Sequence, residues 1–588
     1  MAGNLERLWS ELKRRRVVRL ALVYALAGWV VIQVSSTIFP PLGIPTWALS
    51  LVVVLVIVGF PVSVMLAWAF DLTPEGVVRT APAEASSLAG AGATAAAAAA
   101  GAIRNADRAD PVSGGTAAVD ARSIAVLPFV NMSDDRENEY FSDGMTEELL
   151  NALVRVKDLQ VASRTSSFAL KGKELGIREV ASKLHVAHIL EGSVRKSGER
   201  IRITAQLIDA QNDYHLWSDV YDRELKDVFQ VQDEIARAIV DALKVRFTAD
   251  AEQRPSVKTT SLEAYTYYLK GRFHYNKFTE PDLRRGIELY RQALREDPGY
   301  ARAWAGIADC WTSLADDWLS PNEAYPKAKE AALKALALDG SLSEAHTALG
   351  KVLGWYEWNF DAGELALRRA VASNPNYADA HWGLATLLPT NGRLEEAVAE
   401  MREALALDPL SADTSRWLAR FLLYLGSLDE ALRQCQHALS LDPQQAYVYY
   451  VMGQTYLARG QPEQALQSFR KGSELGGIAF FDAFIATALA ALGRTAEARR
   501  MLKGVEGAED RYVRPEALAV TYAALGETER AFQLLEEAIA SRSAGLIYLH
   551  VDPSYSPLRN DPRFADIVRR LNLRGGRHET PIASAPAT

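Results

Sequence analysis

The chain has 588 residues, too many for a single hydrophobic core, so several domains are expected. A net charge of -8 offers no basic face for phosphates, which argues against nucleic acid as a partner. The two cysteines, Cys310 and Cys435, lie far apart inside helical patterns; this excludes a disulfide-stapled design and a thiolate metal cluster and leaves two buried small side chains.

Apolar residues crowd the N-terminus. After Arg19 no charged residue occurs until Asp71, and a membrane span needs about 20 mostly apolar residues. Two spans fit, at 20–39 and 47–70, separated by PPLGIP (Pro40–Pro45), which neither helix can absorb. Lys13, Arg14, Arg15, Arg16 and Arg19 precede the first span and the loop carries no positive charge, so the N-terminus is expected in the cytoplasm and the second span returns the chain there. Trp29, Trp47 and Trp68 are candidate interface anchors or plain lipid-facing residues. The competing reading, a cleaved signal peptide, needs a shorter apolar stretch and a small-x-small site that is missing before Pro40. No ionisable group lies within either span to make an ion path. Residues 1–79 thus read as a membrane hairpin, placing the chain in the inner (plasma) membrane with its soluble domains cytoplasmic. Residues 80–122, rich in Ala and Gly, read as a tether.

From 123 to 250 strand and helix patterns alternate, as in a packed α/β layer. SIAVLPFVN is a short apolar run, Met145, Leu149, Leu153 and Val156 form one helical stripe, and a second helix is expected at Ile177–Leu184. In GERIRITAQLIDA, Ile201, Ile203, Ala205 and Leu207 alternate with other residues as in a half-buried strand, after a Ser197-Gly198-Glu199 hairpin. YHLWSDVYDREL adds a third antiparallel strand and VFQVQDEIARAIVDALKV an amphipathic helix. These landmarks, SIAVLPFVNMSDDRENEYFSDGMTEELLNAL and HILEGSVRKSGERIRITAQLID followed by HLWSDVYDREL, resemble the TolB amino-terminal-like module of bacterial multidomain proteins, over about 123–243. The segments ELKRRRVVRLALVYALAGWVVIQ and FDLTPEGV resemble the membrane hairpin of the same kind of protein. The resemblance implies tetratricopeptide repeats downstream. It also implies, in some relatives, a class III nucleotide cyclase or winged-helix domain ahead of the membrane segment, for which the short stretch before the first span leaves no room.

This module shows no catalytic pattern. His185, His188 and His215 straddle a helix-to-strand junction without a carboxylate arrangement for a metal, and Asp134, Asp135 and Asp143 read as ordinary capping and solvation. No phosphate loop, nucleophile elbow or catalytic carboxylate pair stands in a strand-turn-helix context. No catalytic residue, metal or cofactor is expected, and the chain reads as non-enzymatic.

The remainder is repetitive. ALREDP (Ala293), ALALDG (Ala335), AVASNP (Ala370), ALALDP (Ala404) and ALSLDP (Ala438) recur, the last three intervals being 35, 34 and 34 residues. A helical period of 34 marks tetratricopeptide repeats. Gly392, Gly426, Gly460, Gly493 and Gly526 each stand five residues before an Ala, which prescribes a left-handed turn and then a closely approaching helix. The expected architecture at 261–573 is an all-α solenoid of seven or eight helical pairs with a C-terminal cap, followed by a disordered tail at 574–588. Two units depart from the pattern, through an insertion at Trp311–Pro326 and through EWNFDAG in place of a turn Gly; such extra residues are either a binding feature or tolerated drift.

A solenoid's inner face is lined by the first helix of each pair. By register Trp382, Thr386, Arg416, Arg420, Tyr450 and Gln454 point there. Arg416 and Arg420, four residues apart, could clamp a carboxylate, and Trp382 and Tyr450 could anchor partner side chains; packing of Trp and Tyr between repeats and a solvated Arg pair are the stronger explanation of the same residues. The functional expectation is a membrane-anchored scaffold that binds protein or peptide partners, with a signalling role beside nucleotide cyclases or transcription regulators as the alternative.

Overall fold

The structure, a computed structural model, describes residues 70–73 and 76–79 and, with short internal breaks, 120–575. The chain divides into two units, Met1–Thr116 and Ala117–Thr588. In the first, β1 (Phe70–Thr73) pairs antiparallel with β2 (Gly76–Arg79), Asp71 facing Val78. Phe70, expected at the end of the second span, instead begins a strand. The rest of the two expected spans, the tether up to residue 119 and the tail beyond Gly575 lie outside the described residues. Among the described residues no helix is long and apolar enough to cross a membrane.

The second unit opens with the α/β region. Its elements in chain order are β3 (Ser123–Val126), β4 (Val130–Asn131), α1 (Glu139–Leu153), β5 (Val156–Lys157), β6 (Gln160–Val161), α2 (Arg164–Phe168), α3 (Ile177–Leu184), β7 (His188–Ser197), β8 (Arg200–Asp209), β9 (Tyr214–Glu224), α4 (Val228–Leu243) and β10 (Arg246–Phe247). The sheet runs β6-β3-β7-β8-β9, with β4 also beside β7. β3 pairs parallel with β6 and β7, whereas β7, β8 and β9 are antiparallel. Ile201, Ile203, Ala205 and Leu207 are buried while Arg200 and Arg202 are exposed, so the alternation read from the sequence sets the face. Ile208 is buried as well, on the opposite face beside Ile189, and the bulge at this point belongs to β9, where Trp217 pairs with Leu207 and His215 with Ile208. Gly198, at φ +56°, starts the two-residue β7–β8 turn in a conformation that a side chain would disfavour. At β3 and β7 the other sheet face is covered by α3, through Ala125, Ile189, Val180 and Leu184.

The solenoid follows as α5 (Leu262–Tyr275), α6 (Glu280–Glu296), α7 (Ala301–Leu314), α8 (Pro321–Leu338), α9 (Ser343–Lys351), α10 (Phe360–Ser373), α11 (Ala378–Leu387), α12 (Leu394–Leu407), α13 (Ala412–Leu425), α14 (Leu428–Leu441), α15 (Ala446–Ala458), α16 (Pro462–Gly476), α17 (Ala479–Ala491), α18 (Thr495–Glu506), α19 (Pro515–Ala524) and α20 (Thr528–Ala540). They make eight helical pairs among the described residues. The five turn glycines have φ between +71° and +83°, the left-handed conformation that the sequence spacing demanded. In the third unit, where no Gly is available, α9 runs into a π-helical turn at Val352–Tyr356 and Trp358 takes the left-handed position at φ +56°.

The α/β region and the solenoid share a core. Met145, Leu149, Ile235 and Ile239 belong to one buried cluster with Tyr265, Leu269, Tyr290 and Cys310. Gly144 lets α1 approach α5 so closely that a Cβ there would lie 2.6 Å from the Leu269 side chain. After α20 the chain forms two 3-10 turns, Ala544–Tyr548 and Pro553–Leu558, then α21 (Pro562–Arg570). As expected of a cap, α21 packs on α20: Arg570 pairs with Glu536 at 2.6 Å and Arg563 with Glu529 at 2.8 Å. Disorder was expected from residue 574, but Arg574 donates its backbone N–H to Thr390 at 2.8 Å and pairs with Asp361 at 3.1 Å, which fixes it against the third and fourth units.

Two glycines separate the roles of conformation and space. Gly460 has φ +74° and open surroundings, so Gly460→Ala should cost about 1 kcal/mol of strain. At Gly453, on the helix face, a Cβ would sit 2.3 Å from the buried Phe469 ring, so Gly453→Ala should force α15 and α16 apart and cost about 1–3 kcal/mol. Denaturant midpoints of the two variants measure the difference; equal losses would show that helix approach is not limiting.

Candidate functional site

The inner face of the solenoid is a partly enclosed groove. It bounds a cavity of about 840 Å³ whose wall comes from three sources: the first helices of the repeats, α1 and α2 of the α/β region, and the segment 544–555. Trp382, Arg416, Arg420, Tyr450 and Gln454 all line it. The 34-residue period puts Trp382, Arg416 and Tyr450 at one register position of α11, α13 and α15. Thr386 is fully buried, and its carbonyl accepts the Tyr548 hydroxyl at 3.1 Å.

The α/β region closes the cavity on one side through ion pairs. Glu147 and Glu148 are consecutive on α1, so their side chains diverge around the helix and reach different repeats. Glu147 Oε1 meets Arg272 of α5 at 2.5 Å, and its Oε2 meets Arg164 of α2 at 3.0 Å. Glu148 receives Arg302 of α7 on both oxygens, at 2.7 and 2.8 Å. Burial works to raise the Glu147 carboxyl, but Arg272 and Arg164 outweigh it and hold the group below the usual carboxylate range. A second attachment lies at the end of the fourth repeat: Ser163 donates its backbone N–H to Leu407 O at 2.7 Å and its hydroxyl to Asp408 at 2.6 Å, and the Ser166 hydroxyl also donates to Asp408. Asn376 Nδ2 adds a bond to Leu159 O at 3.2 Å.

The C-terminal segment closes the other side. Arg542 donates to Tyr356 O at 3.1 Å and lies 4.2 Å over the Trp358 ring, so the irregular third unit is where this segment docks. Asp552 accepts from Tyr424 at 3.1 Å, Ser554 accepts from Gln454 Nε2 at 3.0 Å, and Ser543 donates to Glu516 at 2.8 Å.

These contacts alter the expected roles of the six residues. Arg416 and Arg420 do not form a joint clamp: Arg416 pairs with Asp413 at 2.6 Å, while Arg420 donates from Nε to Tyr424 at 2.5 Å. Tyr450 packs on Phe484 and Phe480, with ring centroids at 4.7 and 5.0 Å. Trp382 stands edge-on between Trp355 and Trp417, at 5.5 and 5.7 Å. Sequence reasoning missed Trp355, Lys351, Trp417, Tyr548 and the α/β wall. Trp417 was within reach, one residue past the periodic position of Arg416, whereas segment 544–555 lies outside any period.

Asp309 of α7 is buried near the same wall, 3.9 Å from Arg272. Burial pushes its carboxyl up to about 7 against the pull of Arg272 and Lys351. Among the described residues no three His, Cys, Asp or Glu side chains assemble as metal ligands.

The buried charges respond to substitution and to pH. Glu148→Ala leaves Arg302 buried and unpaired and should destabilise by about 3–5 kcal/mol, whereas Glu148→Leu combined with Arg302→Met should recover most of that loss; a double-mutant cycle in urea decides. Because the folded carboxyl of Asp309 is raised, its stability contribution is lost as pH rises from about 4 towards 7. Asp309→Asn should therefore stabilise by about 1–3 kcal/mol at pH 7.5 and have no effect near pH 3.5, as thermal unfolding across pH would show.

Family models agree with the repeat architecture. Tetratricopeptide repeat models match residues 355–412, 386–446, 422–475 and 516–544. Over the α/β region, the model of the HilA/YgeH-like transcriptional regulator, second domain, matches residues 120–238. The Rhizobium meliloti (strain 1021) protein named "Putative adenylate cyclase 3" is 42% identical over 241 residues, 40% of this chain and 40% of its own length. Among solved structures, a tetratricopeptide repeat protein from Parabacteroides merdae ATCC 43184 is 15% identical over 46% of this chain and 100% of its own, with a TM-score of 0.34. A thermophilic repeat protein of Thermus thermophilus is 20% identical over 33% of this chain and 99% of its own, with a TM-score of 0.29. With its eight helical pairs and these repeat matches, the chain carries tetratricopeptide repeats in an all-helical solenoid, together with a small α/β region at 123–224.

Proposed function

We propose that this chain is a non-enzymatic, membrane-anchored scaffold whose repeat array binds protein partners. The observation that carries the reading is the array itself, because stacked helical pairs present an extended surface of the kind used to hold polypeptides. The charge-free stretch from Leu20 to Phe70 supports the anchor, and the basic cluster at Lys13–Arg19 supports a cytoplasmic N-terminus. The resemblance of the α/β landmarks to the TolB-like module supports a bacterial, envelope-associated setting.

The second reading is a component of nucleotide-cyclase or transcription-regulator signalling. It is favoured by the relative named as an adenylate cyclase and by the match to a regulator's second domain. A deletion strain with altered cyclic nucleotide levels, or with one altered regulon, would favour it over plain scaffolding.

Reporter fusions after Asp120 and after Thr588, each active on one side of the membrane, should both report the cytoplasm; a periplasmic signal from either would overturn the two-span topology. Cross-linked partners recovered with the full-length chain should diminish severalfold with Trp382→Ala. Turnover of a nucleotide by the purified protein would overturn the non-enzymatic reading.

A further inference from the structure

We propose that the partly enclosed inner cavity is a binding site for a small anion that carries a flat aromatic ring. Access to the cavity is restricted from two directions. An extended peptide lying along the repeats would meet the Ser163–Asp408 attachment on one side and the Tyr548–Asp552 segment on the other. What these leave, about 840 Å³, is the size of a small-molecule site.

The wall has a specific chemistry. Trp355, Trp382 and Trp417 form a continuous edge-to-face run along three successive repeats. Lys351 Nζ lies beside the first two rings, 5.9 Å from the centre of Trp355 and 5.0 Å from that of Trp382, while Arg416 and Arg420 lie 4.9 and 5.1 Å from that of Trp417, so cations stand along the run. Among the described residues neither Lys351 nor Arg420 is ion-paired with a carboxylate, in contrast to Arg416, Arg272 and Arg302, which all are. Cations withdrawn from water are normally matched by an anion or a hydrogen-bonded network. Lys351, half-buried, has ring faces and the distant attraction of Asp309, and Arg420 has ring faces, one tyrosine hydroxyl and the attraction of Asp552 beyond it. A ring seated against the indoles with a negative group at Lys351 or Arg420 satisfies both features at once. Phosphate and carboxylate groups meet this requirement equally, so the ligand is either a nucleotide or an aromatic acid. The site shares Trp382 with the partner-binding reading, so the two compete for one wall, and the titrations below separate a small anion from a peptide as its occupant.

The test is calorimetric titration of the purified full-length chain with AMP, GMP and indole-3-acetate, with adenosine, indole and inorganic phosphate as controls. At least one ring-bearing anion should bind at least 10-fold more tightly than its neutral ring or phosphate alone, and added salt should weaken it. Binding of only the nucleotides assigns the phosphate source, and binding of only indole-3-acetate the carboxylate source. Lys351→Gln should weaken binding at least 10-fold with an unchanged melting temperature, and Lys351→Arg should restore it. Arg420→Gln is the independent second variant, checked by circular dichroism because Arg420 also bonds Tyr424. The proposal is overturned if no ring-bearing anion binds, if adenosine or indole binds as tightly as the anion, or if both variants retain full affinity. A Glu-rich hexapeptide that binds more tightly than any of these would assign the cavity to the peptide-binding reading instead.

Discussion

The fold turns on the pair of adjacent glutamates, Glu147 and Glu148, that α1 inserts between the first two repeats. Two neighbouring residues on a helix point about 100° apart, so one α-helix engages Arg272 on α5 and Arg302 on α7 simultaneously. That geometry is available in only one seating of α1. Any rotation would leave four charged groups withdrawn from water without partners, at several kcal/mol each. The net stabilisation from such buried pairs is small, because desolvation offsets most of the attraction. Their effect is therefore on alignment: hydrophobic burial through Leu149, Tyr265 and Leu269 holds the α/β region on the solenoid, and the ion pairs set where.

Once seated, the α/β region acts as a strut. From its anchor on the first two repeats it reaches the junctions at Asn376 and Asp408, so one rigid sheet touches the array at points more than a hundred residues apart in the chain. A free solenoid is nearly one-dimensional, each unit contacting only its neighbours. Here the strut and the returning C-terminal segment add cross-links that a linear stack lacks. Curvature is then constrained at both ends, and the inner face becomes a chamber.

The third unit shows how an irregularity serves this closure. Its π-helical turn and left-handed Trp358 break the repeat grammar at the place where Arg542 docks. The sequence left open whether the departure was a binding feature or drift; the occupant turns out to be the chain's own C-terminal segment. The local rules were legible throughout. The turn glycines, the Ile201–Leu207 alternation, the Ile177–Leu184 helix and the Gly198 hairpin all follow from backbone conformation and burial period, which act over a few residues. The register also brought Trp382, Arg416 and Tyr450 to one wall correctly. What could not be read was who faces them. The contacts Arg302–Glu148, Asp408–Ser163 and Tyr548–Thr386 join residues 154, 245 and 162 positions apart, and no periodicity encodes such pairings.

Closure also changes the physics of the residues inside. On an open groove Arg420 would be a hydrated cation, exchanging partners with little cost. Enclosed between Trp417, Tyr424 and Tyr548, it exchanges water for ring faces and a single hydroxyl. Low dielectric strengthens any interaction it does make. The same enclosure pushes Asp309 up to about 7, so that one wall of the chamber holds a carboxyl near half-protonation at neutral pH while the glutamates nearby stay paired. A partly enclosed cavity of this kind discriminates by charge more sharply than an exposed groove of identical composition, because an unmatched charge in it is less well hydrated.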